Sequence, residues 1–168
     1  MLSNLLRRPR LVLLLLGLLC YAATGAAMAL GYFFDLDACA MCWFQRLAFF
    51  VAGSGFLLAA ALPFAAIITQ RIGELGLLAA LASAARQSYV ILNPELADGS
   101  CGAGLMYYAK IGAWEKFFRA GLMGGSDCAE DQPMLLGLYL PNWSLIAVLA
   151  LIVAYVGWLI WRRRQGRA

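Results

Sequence analysis

Four long apolar segments, separated by short polar breaks and one long polar stretch, dominate this chain. Each has about 20 residues, enough for a helix rising 1.5 Å per residue to cross the hydrocarbon core of a bilayer. The pattern therefore predicts an all-α membrane protein, a four-transmembrane-helix bundle that forms a single domain over residues 1–168. The predicted spans are approximately residues 11–31, 42–62, 72–92 and 143–161, with outer loops at 32–41 and 93–142.

The first apolar segment also has a second interpretation. Arg7, Arg8 and Arg10 before an apolar run are typical of a secretory signal peptide, with Ala27-Met28-Ala29 as the cleavage site. This run is longer than the apolar core of a typical signal peptide, and three further spans make such a signal unnecessary. We therefore favour a transmembrane helix.

The long loop contains a helical pattern of its own. Between residues 104 and 123, apolar side chains recur at helical spacing, and charged positions lie between them. The segment is too charged to span a membrane, so it predicts a short helix lying in the membrane interface with its apolar face down. Packing of that helix on the bundle is the alternative. The apolar face comprises Tyr107, Ile111, Trp114, Phe118 and Leu122.

Composition and charge support an integral membrane protein and give its orientation. The chain is 64% hydrophobic and 13% charged, whereas a soluble domain carries about 25% charged residues. The net charge of +4 reflects topology rather than a nucleic-acid surface. Under the positive-inside rule both termini are cytoplasmic, and the net acidic long loop lies outside. The basic residues on the inner side are Arg7, Arg8, Arg10, Arg71, Arg162, Arg163, Arg164 and Arg167.

Five cysteines and no histidine direct attention to sulfur chemistry. Cys39 and Cys42 form a Cys-x-x-Cys pair at the start of the second span, one helical turn apart. Arg46 follows Cys42 at i,i+4, where its guanidinium can approach the sulfur. A cation and a helix N-terminus both favour the thiolate, which is the reactive form. Cys20 lies in the middle of the first span and is interpreted as inert packing.

The other two cysteines, Cys101 and Cys128, flank the predicted interfacial helix in the outer loop. Four cysteines on the oxidising side allow three pairings. The Cys-x-x-Cys pair and the loop pair can exchange electrons by thiol–disulfide exchange if the loop brings them together. Purely structural disulfides are one alternative. A zinc site is another, although the loop pair lacks the Cys-x-x-Cys spacing of a zinc ribbon.

Electrons leaving two dithiols need an acceptor, and the sequence contains no haem, dinucleotide or flavin motif. A carrier dissolved in the bilayer would suffice. Arg46, at the outer edge of the second span, is placed to hydrogen-bond a quinone carbonyl and stabilise its developing negative charge. Arg86 lies within the third span, and an arginine there is a functional candidate because it is costly to bury. Snorkelling or pairing with a carboxylate is the alternative role for Arg86.

At this point the sequence resembles the bacterial disulfide-bond formation protein B family, DsbB. Such proteins have four spans in the inner membrane, reoxidise the periplasmic thiol oxidase DsbA and pass electrons to ubiquinone or menaquinone. The resemblance implies the same location, a DsbA-like partner and periplasmic active cysteines. It is carried by Cys39-Ala-Met-Cys42 with Arg46, Cys101-Gly-Ala-Gly-Leu, Asp127-Cys128-Ala-Glu130 and the segment from Leu136 to Trp143.

The resemblance also implies a role for each cysteine. Cys101 forms the mixed disulfide with DsbA, Cys128 pairs transiently with Cys39, and Cys42 is the thiolate that faces the quinone beside Arg46. The chain departs from the family in two places. Pro133 stands where an aromatic residue is common, and the histidine that some members place near the quinone is absent, with Gln87 and Arg86 as its possible substitutes.

One other family resemblance and two other kinds of protein are alternatives to this interpretation. The vitamin K epoxide reductase family also combines four spans, a Cys-x-x-Cys and a loop pair. There the Cys-x-x-Cys follows the loop pair, whereas here it precedes it. The chain also fits a non-catalytic scaffold with two structural disulfides, or a membrane protein that binds metal through soft thiolates.

Overall fold

The structure is a computed structural model that describes residues 8–34, 39–93, 105–123 and 134–165. Within these ranges the chain forms six helices and one short hairpin. Its elements are α1 Pro9–Phe33, α2 Ala40–Ala61, α3 Ala66–Leu92, α4 Leu105–Lys110, α5 Trp114–Met123, β1 Met134–Leu135, β2 Leu138–Tyr139 and α6 Leu140–Gln165.

The four long helices α1, α2, α3 and α6 are each long and apolar enough to cross a membrane. The predicted all-α architecture with four membrane helices is therefore confirmed. The largest difference in bounds is at α3, which begins at Ala66 rather than near residue 72. Hydropathy marks only the apolar part of a helix, whereas the backbone ladder of α3 continues through the polar residues Thr69, Gln70 and Arg71.

Close contact between α2 and α3 forms the centre of the bundle. A Cβ placed on Gly76 would lie 2.6 Å from the backbone nitrogen of Ala52, and one on Gly55 would overlap the backbone at Gly73. Small residues let membrane helices approach this closely and gain van der Waals contact. The apolar core around this contact includes Leu16, Cys20, Phe56, Leu77, Ala80, Val148 and Tyr155.

The helix predicted over residues 104–123 is two helices in the structure. Gly112, at φ +69°, separates α4 from α5. A left-handed backbone at this residue ends the first helix and redirects the chain. The prediction of one continuous helix was therefore wrong at this point.

Helix α5 packs against α2 and α3 through a different face from the one predicted. Phe117 is 6% exposed and lies 6.3 Å from the ring of Phe44, centroid to centroid. Ser83 Oγ donates to the carbonyl oxygen of Gly121 at 3.0 Å. Tyr107, Ile111, Trp114 and Phe118 of the predicted apolar face are each more than half exposed. Burial of that face in the membrane interface stays a prediction.

A two-residue turn leads into the last helix. Met134 pairs with Tyr139 and Leu135 with Leu138, and the turn residues Leu136 and Gly137 have φ of 53° and 82°. Positive φ at both central residues is the type I′ turn that suits a tight hairpin. Trp143 Nε1 donates to Leu135 O at 3.0 Å, which ties the hairpin to the first turn of α6.

Candidate active site

Cys39 and Cys42 lie together at the N-terminus of α2. Cys39 is the N-cap residue, with extended backbone, and its sulfur accepts from the backbone N–H of Cys42 at 3.4 Å. The two sulfur atoms are 2.9 Å apart, a hydrogen-bonded separation rather than the covalent bond of about 2.05 Å. The helix thus presents two adjacent sulfurs at its positive end, where negative charge is stabilised.

A chain of hydrogen bonds from two other helices ends on these sulfurs. Gln87 Nε2 donates to Cys39 Sγ at 3.4 Å and to Cys42 Sγ at 3.2 Å. Gln45 Nε2 donates to Gln87 Oε1 at 2.6 Å. Ser144 Oγ donates to Gln45 Oε1 at 2.7 Å. We call the side chains of Ser144, Gln45 and Gln87 the amide chain, because they connect α6, α2 and α3 to the cysteine pair.

Sequence reasoning missed Gln45 and Ser144, and it considered Gln87 only as a substitute for a histidine. The available signal was polarity within apolar spans, because a buried amide in a membrane helix needs partners and marks a functional candidate. Gln45 is 5% exposed and Gln87 is fully buried. Their partners lie on other helices, so the sequence alone does not reveal the chain.

Beside the cysteine pair is a cavity of about 240 Å³ between α1, α2, α3 and α6. Most of its wall consists of alanine, leucine, proline and aromatic side chains. Cys42 lines this cavity, whereas Cys39 does not. The two cysteines therefore have different surroundings, and Cys42 is the one that belongs to the cavity wall. The polar residues of the wall are Thr24, Cys42, Gln45, Arg46, Gln87 and Ser144.

Arg46 is fixed in the wall of the same cavity. Its Nη2 donates to Ala27 O on α1 at 3.0 Å, and its Cζ lies 5.3 Å from the ring centroid of Trp43. A guanidinium has five N–H donors, so this single described hydrogen bond leaves capacity for a ligand. The structure thus places Arg46 and Cys42 in the wall of the same cavity.

Arg86 has a different environment. Its Cζ lies 5.7 Å from the ring centroid of Tyr89, and Arg86 is not part of the cavity wall. The neighbouring residue Gln87 faces the cavity instead. A contact between Arg86 and a quinone stays a prediction.

The remaining predicted residues divide into two groups. Cys101, Cys128 and Pro133 lie outside the described residues, so their roles stay predictions. Cys20 is fully buried in the apolar core of the bundle and does not line the cavity. Its surroundings fit the interpretation as packing.

These observations define a class: a multi-pass helical membrane protein whose cysteine pair, beside a cavity, is suited to thiol–disulfide exchange. The profile of the family described as disulfide bond formation protein DsbB matches residues 9–158. The chain belongs to the DsbB family, and it is a membrane oxidoreductase of disulfide bond formation. Membership does not favour the two alternatives, a scaffold with structural disulfides or a thiolate metal-binding protein.

Curated relatives agree with the family match. The chain is 33% identical over 154 residues to disulfide bond formation protein B of Hahella chejuensis, covering 87% of this chain and 92% of the relative. It is 35% identical over 159 residues to disulfide bond formation protein B 1 of Pseudomonas aeruginosa PAO1, covering 92% and 94%. No solved structure matches the chain significantly.

Proposed function

We propose that this protein reoxidises a periplasmic DsbA-like thiol oxidase and transfers the electrons to ubiquinone or menaquinone in the bacterial inner membrane. The observation that carries the proposal is the shared cavity of Cys42 and Arg46. A reactive sulfur and a cation around one space, within a membrane bundle, suit the reduction of an apolar carrier with carbonyl groups.

The cavity fits such a carrier in size and chemistry. A cavity of about 150 Å³ accommodates benzene, and this one has about 240 Å³. Its wall is mainly apolar, as the binding of a ring requires, and it has a few polar groups to orient a carbonyl. Arg46 is the residue we assign to hold that carbonyl. A quinone, when bound, supplies the capacity to accept two electrons and two protons.

Cys39 and Cys42 supply those electrons and protons as their dithiol closes to a disulfide. We assign the exit of electrons to Cys42, because this residue lines the cavity. Cys39 then exchanges with the loop pair: its disulfide with Cys42 is reduced as a Cys101–Cys128 disulfide forms. The loop disulfide is reduced in turn as the dithiol of the partner is oxidised, and each exchange moves two electrons.

Arg46 stabilises negative charge on the cavity side of this exchange. Its guanidinium is held by Ala27 O and by the ring of Trp43, so little reorganisation is needed when charge develops. A preorganised donor of this kind lowers the barrier in a water-poor site. The planar fork of Arg46 can also donate to a sulfur and a carbonyl in one fixed geometry, which the flexible ammonium of a lysine does not provide.

We assign the cysteine end of the bundle to the periplasm and both termini to the cytoplasm. Arg162, Arg163 and Arg164 lie in the last turn of α6, at the far end of that helix from Ser144. Arg71 lies near the start of α3, whereas Gln87 is near its end. The arginines that flank these two spans thus lie at the end of the bundle away from the cysteine pair, as the positive-inside rule requires of the cytoplasmic side.

The test is anaerobic quinone reduction by the purified full chain. We expect quinone to be consumed when a reduced DsbA-like protein is supplied, and not when the partner is omitted or has its own cysteines replaced. The Cys20→Ala variant is the matched control, and it should keep wild-type rates because Cys20 is buried in the apolar core. Oxidation of the partner without quinone consumption would refute the proposal.

The order of the loop cysteines has a separate test. Cys101→Ser should fail to capture the partner, whereas Cys128→Ser should accumulate a mixed disulfide, because the resolving thiol is missing. Non-reducing electrophoresis detects the complex. Accumulation in Cys101→Ser instead would reverse the two roles.

A further inference from the structure

We propose that Gln87 is a positioning residue that sets the reduction potential of the Cys39–Cys42 pair, and that Gln45 and Ser144 hold its amide in the donating orientation. The inference rests on the proposed redox use of this pair. It assigns the oxidising strength of the site to a group that is neither a sulfur nor Arg46.

The geometry gives one donor group to two sulfurs. The side-chain nitrogen of Gln87 carries two hydrogens, and it lies 3.4 Å from Cys39 Sγ and 3.2 Å from Cys42 Sγ. One side-chain nitrogen is therefore within hydrogen-bond distance of both sulfurs. Gln87 is fully buried, so bulk water does not compete for these contacts.

The amide chain determines which end of Gln87 faces the sulfurs. Ser144 donates to Gln45 Oε1, which leaves the nitrogen of Gln45 to donate to Gln87 Oε1. With its oxygen engaged, Gln87 presents its nitrogen to the cysteines. With Gln45 unchanged, a rotated Gln87 amide would place its nitrogen against the nitrogen of Gln45 and lose the hydrogen bond between the two amides. It would also present to the sulfurs an oxygen, which cannot donate to a thiolate.

Such donation stabilises the reduced pair more than the oxidised pair. A thiolate is a strong acceptor, because hydrogen bonds to an ionised group are stronger than neutral ones. The uncharged sulfurs of a disulfide are weak acceptors. Stabilising the reduced form makes a disulfide a stronger oxidant. Gln87 therefore favours transfer of electrons from the loop pair into Cys39 and Cys42.

The effect of nearby charged residues on the potential of the cysteine pair can be separated from the effect of the Gln87 amide. Within the described cavity wall, Arg46 on α2 is the charged residue, and the contributions of α1 and α6 are uncharged. Arg46 is retained in every variant below. A change in potential then reports the amide rather than the cation.

The test measures the equilibrium between the Cys39–Cys42 pair and glutathione in the full chain. Cys101→Ser and Cys128→Ser remove the loop pair, and a quinone-free detergent preparation removes the acceptor. At each ratio of reduced to oxidised glutathione, thiol alkylation and mass spectrometry give the fraction oxidised. Two glutathione molecules are oxidised for each disulfide reduced, so the equilibrium constant follows directly.

We expect Gln87→Met, which keeps the length of the side chain and removes its donors, to shift this constant about tenfold toward the disulfide, or about 30 mV. Gln45→Met should shift it less in the same direction, and Ser144→Ala least, because both act through Gln87. Gln70→Met on the same helix is the matched control, since Gln70 bonds Tyr155 at 2.6 Å rather than a cysteine. It should leave the constant unchanged.

Gln87→Glu provides a second variant should Gln87→Met not fold. It keeps shape and polarity without an N–H, and its shift should be at least as large. An unchanged constant in either folded variant, or an equal shift in Gln70→Met, would overturn the inference. Neither quinone nor partner takes part in this equilibrium, so it tests the inference independently of the proposed function. If Gln87→Met shifts the constant but the wild-type protein fails to reduce quinone, only the proposed function is refuted. Normal quinone reduction with an unshifted constant refutes this inference alone.

Discussion

Two polar clusters cross-link α3 to α6, one at each end of the bundle, and only one of them ends on reactive atoms. At the cysteine end, the amide chain runs from Ser144 to the sulfurs of Cys39 and Cys42. About 25 Å along α3, Gln70 donates to Tyr155 Oη at 2.6 Å, and Tyr155 donates to Glu74 at 2.5 Å.

The two clusters differ in the group that accepts their final hydrogen bonds, which is a carboxylate in one and a pair of sulfurs in the other. Glu74 also pairs with Arg71 at 2.7 Å, and the side chain of Arg71 is 73% exposed. The carboxylate thus has its donors within the cluster. The amide chain instead ends on two sulfurs, one of which lines the cavity, and the cavity wall includes none of Gln70, Glu74 or Tyr155. The comparison teaches that similar interhelical hydrogen bonds join helices at both ends of the bundle, whereas only those at the cysteine end reach the sulfurs of a cysteine pair.

The largest effect should come from removing either sulfur at the cysteine end. Cys39→Ser and Cys42→Ser should each abolish quinone reduction driven by the reduced partner, because no disulfide can form between serine and cysteine. Both variants should remain folded, since four packed helices do not depend on one short-range pair. Size-exclusion chromatography in detergent and thermal denaturation check the fold. Unfolding of either variant would instead indicate a structural disulfide.

A smaller but still large effect is expected at Arg46. Loss of one preorganised charged donor costs about 100- to 1,000-fold in rate, so Arg46→Ala should slow quinone reduction by that factor, with Arg46→Lys intermediate. Oxidation of the partner by a preformed Cys101–Cys128 disulfide should survive, because that exchange does not use the cavity. Arg71→Ala, at the opposite end, is the matched control and should reduce quinone normally. A normal rate and normal apparent quinone affinity in Arg46→Ala would make Arg46 a snorkelling residue.

The smallest effect on activity is expected at the opposite end. Tyr155→Phe removes the hydroxyl that joins Gln70 to Glu74, and loss of such partners costs about 1–3 kcal/mol of stability. The variant should therefore unfold at lower temperature while its rate of quinone reduction stays at wild type. A loss of activity without a loss of stability would show that the two clusters are not separate in function.

The fold was predictable where a single physical rule dominates. Apolar length determines the four membrane helices, and the predicted spans fall almost wholly inside them. The break at Gly112 was not predictable, because glycine permits a left-handed backbone without requiring it. The docking face of α5 also escaped prediction, since Phe117 and Phe118 are equally apolar and both rings contact Phe44. Only burial distinguishes them: Phe117 is 6% exposed and Phe118 is 52% exposed.

The site was predictable only in its local part. Cys39, Cys42 and Arg46 lie within two turns of one helix, so their spacing implies their proximity. Ser144 and Gln45 are 99 positions apart, and no local rule connects them. The cavity likewise depends on how four helices pack, which spacing along the chain does not reveal.

The most direct test of the central claim is a single turnover by the Cys39–Cys42 pair alone. A full-length chain carrying Cys101→Ser and Cys128→Ser is reduced, freed of reductant and mixed anaerobically with ubiquinone or menaquinone, with no partner present. Our account predicts one equivalent of quinone reduced for each Cys39–Cys42 disulfide formed, with both changes slowed together in Arg46→Ala. Disulfide formation without quinone reduction, or no reaction at all in a folded protein, would contradict it.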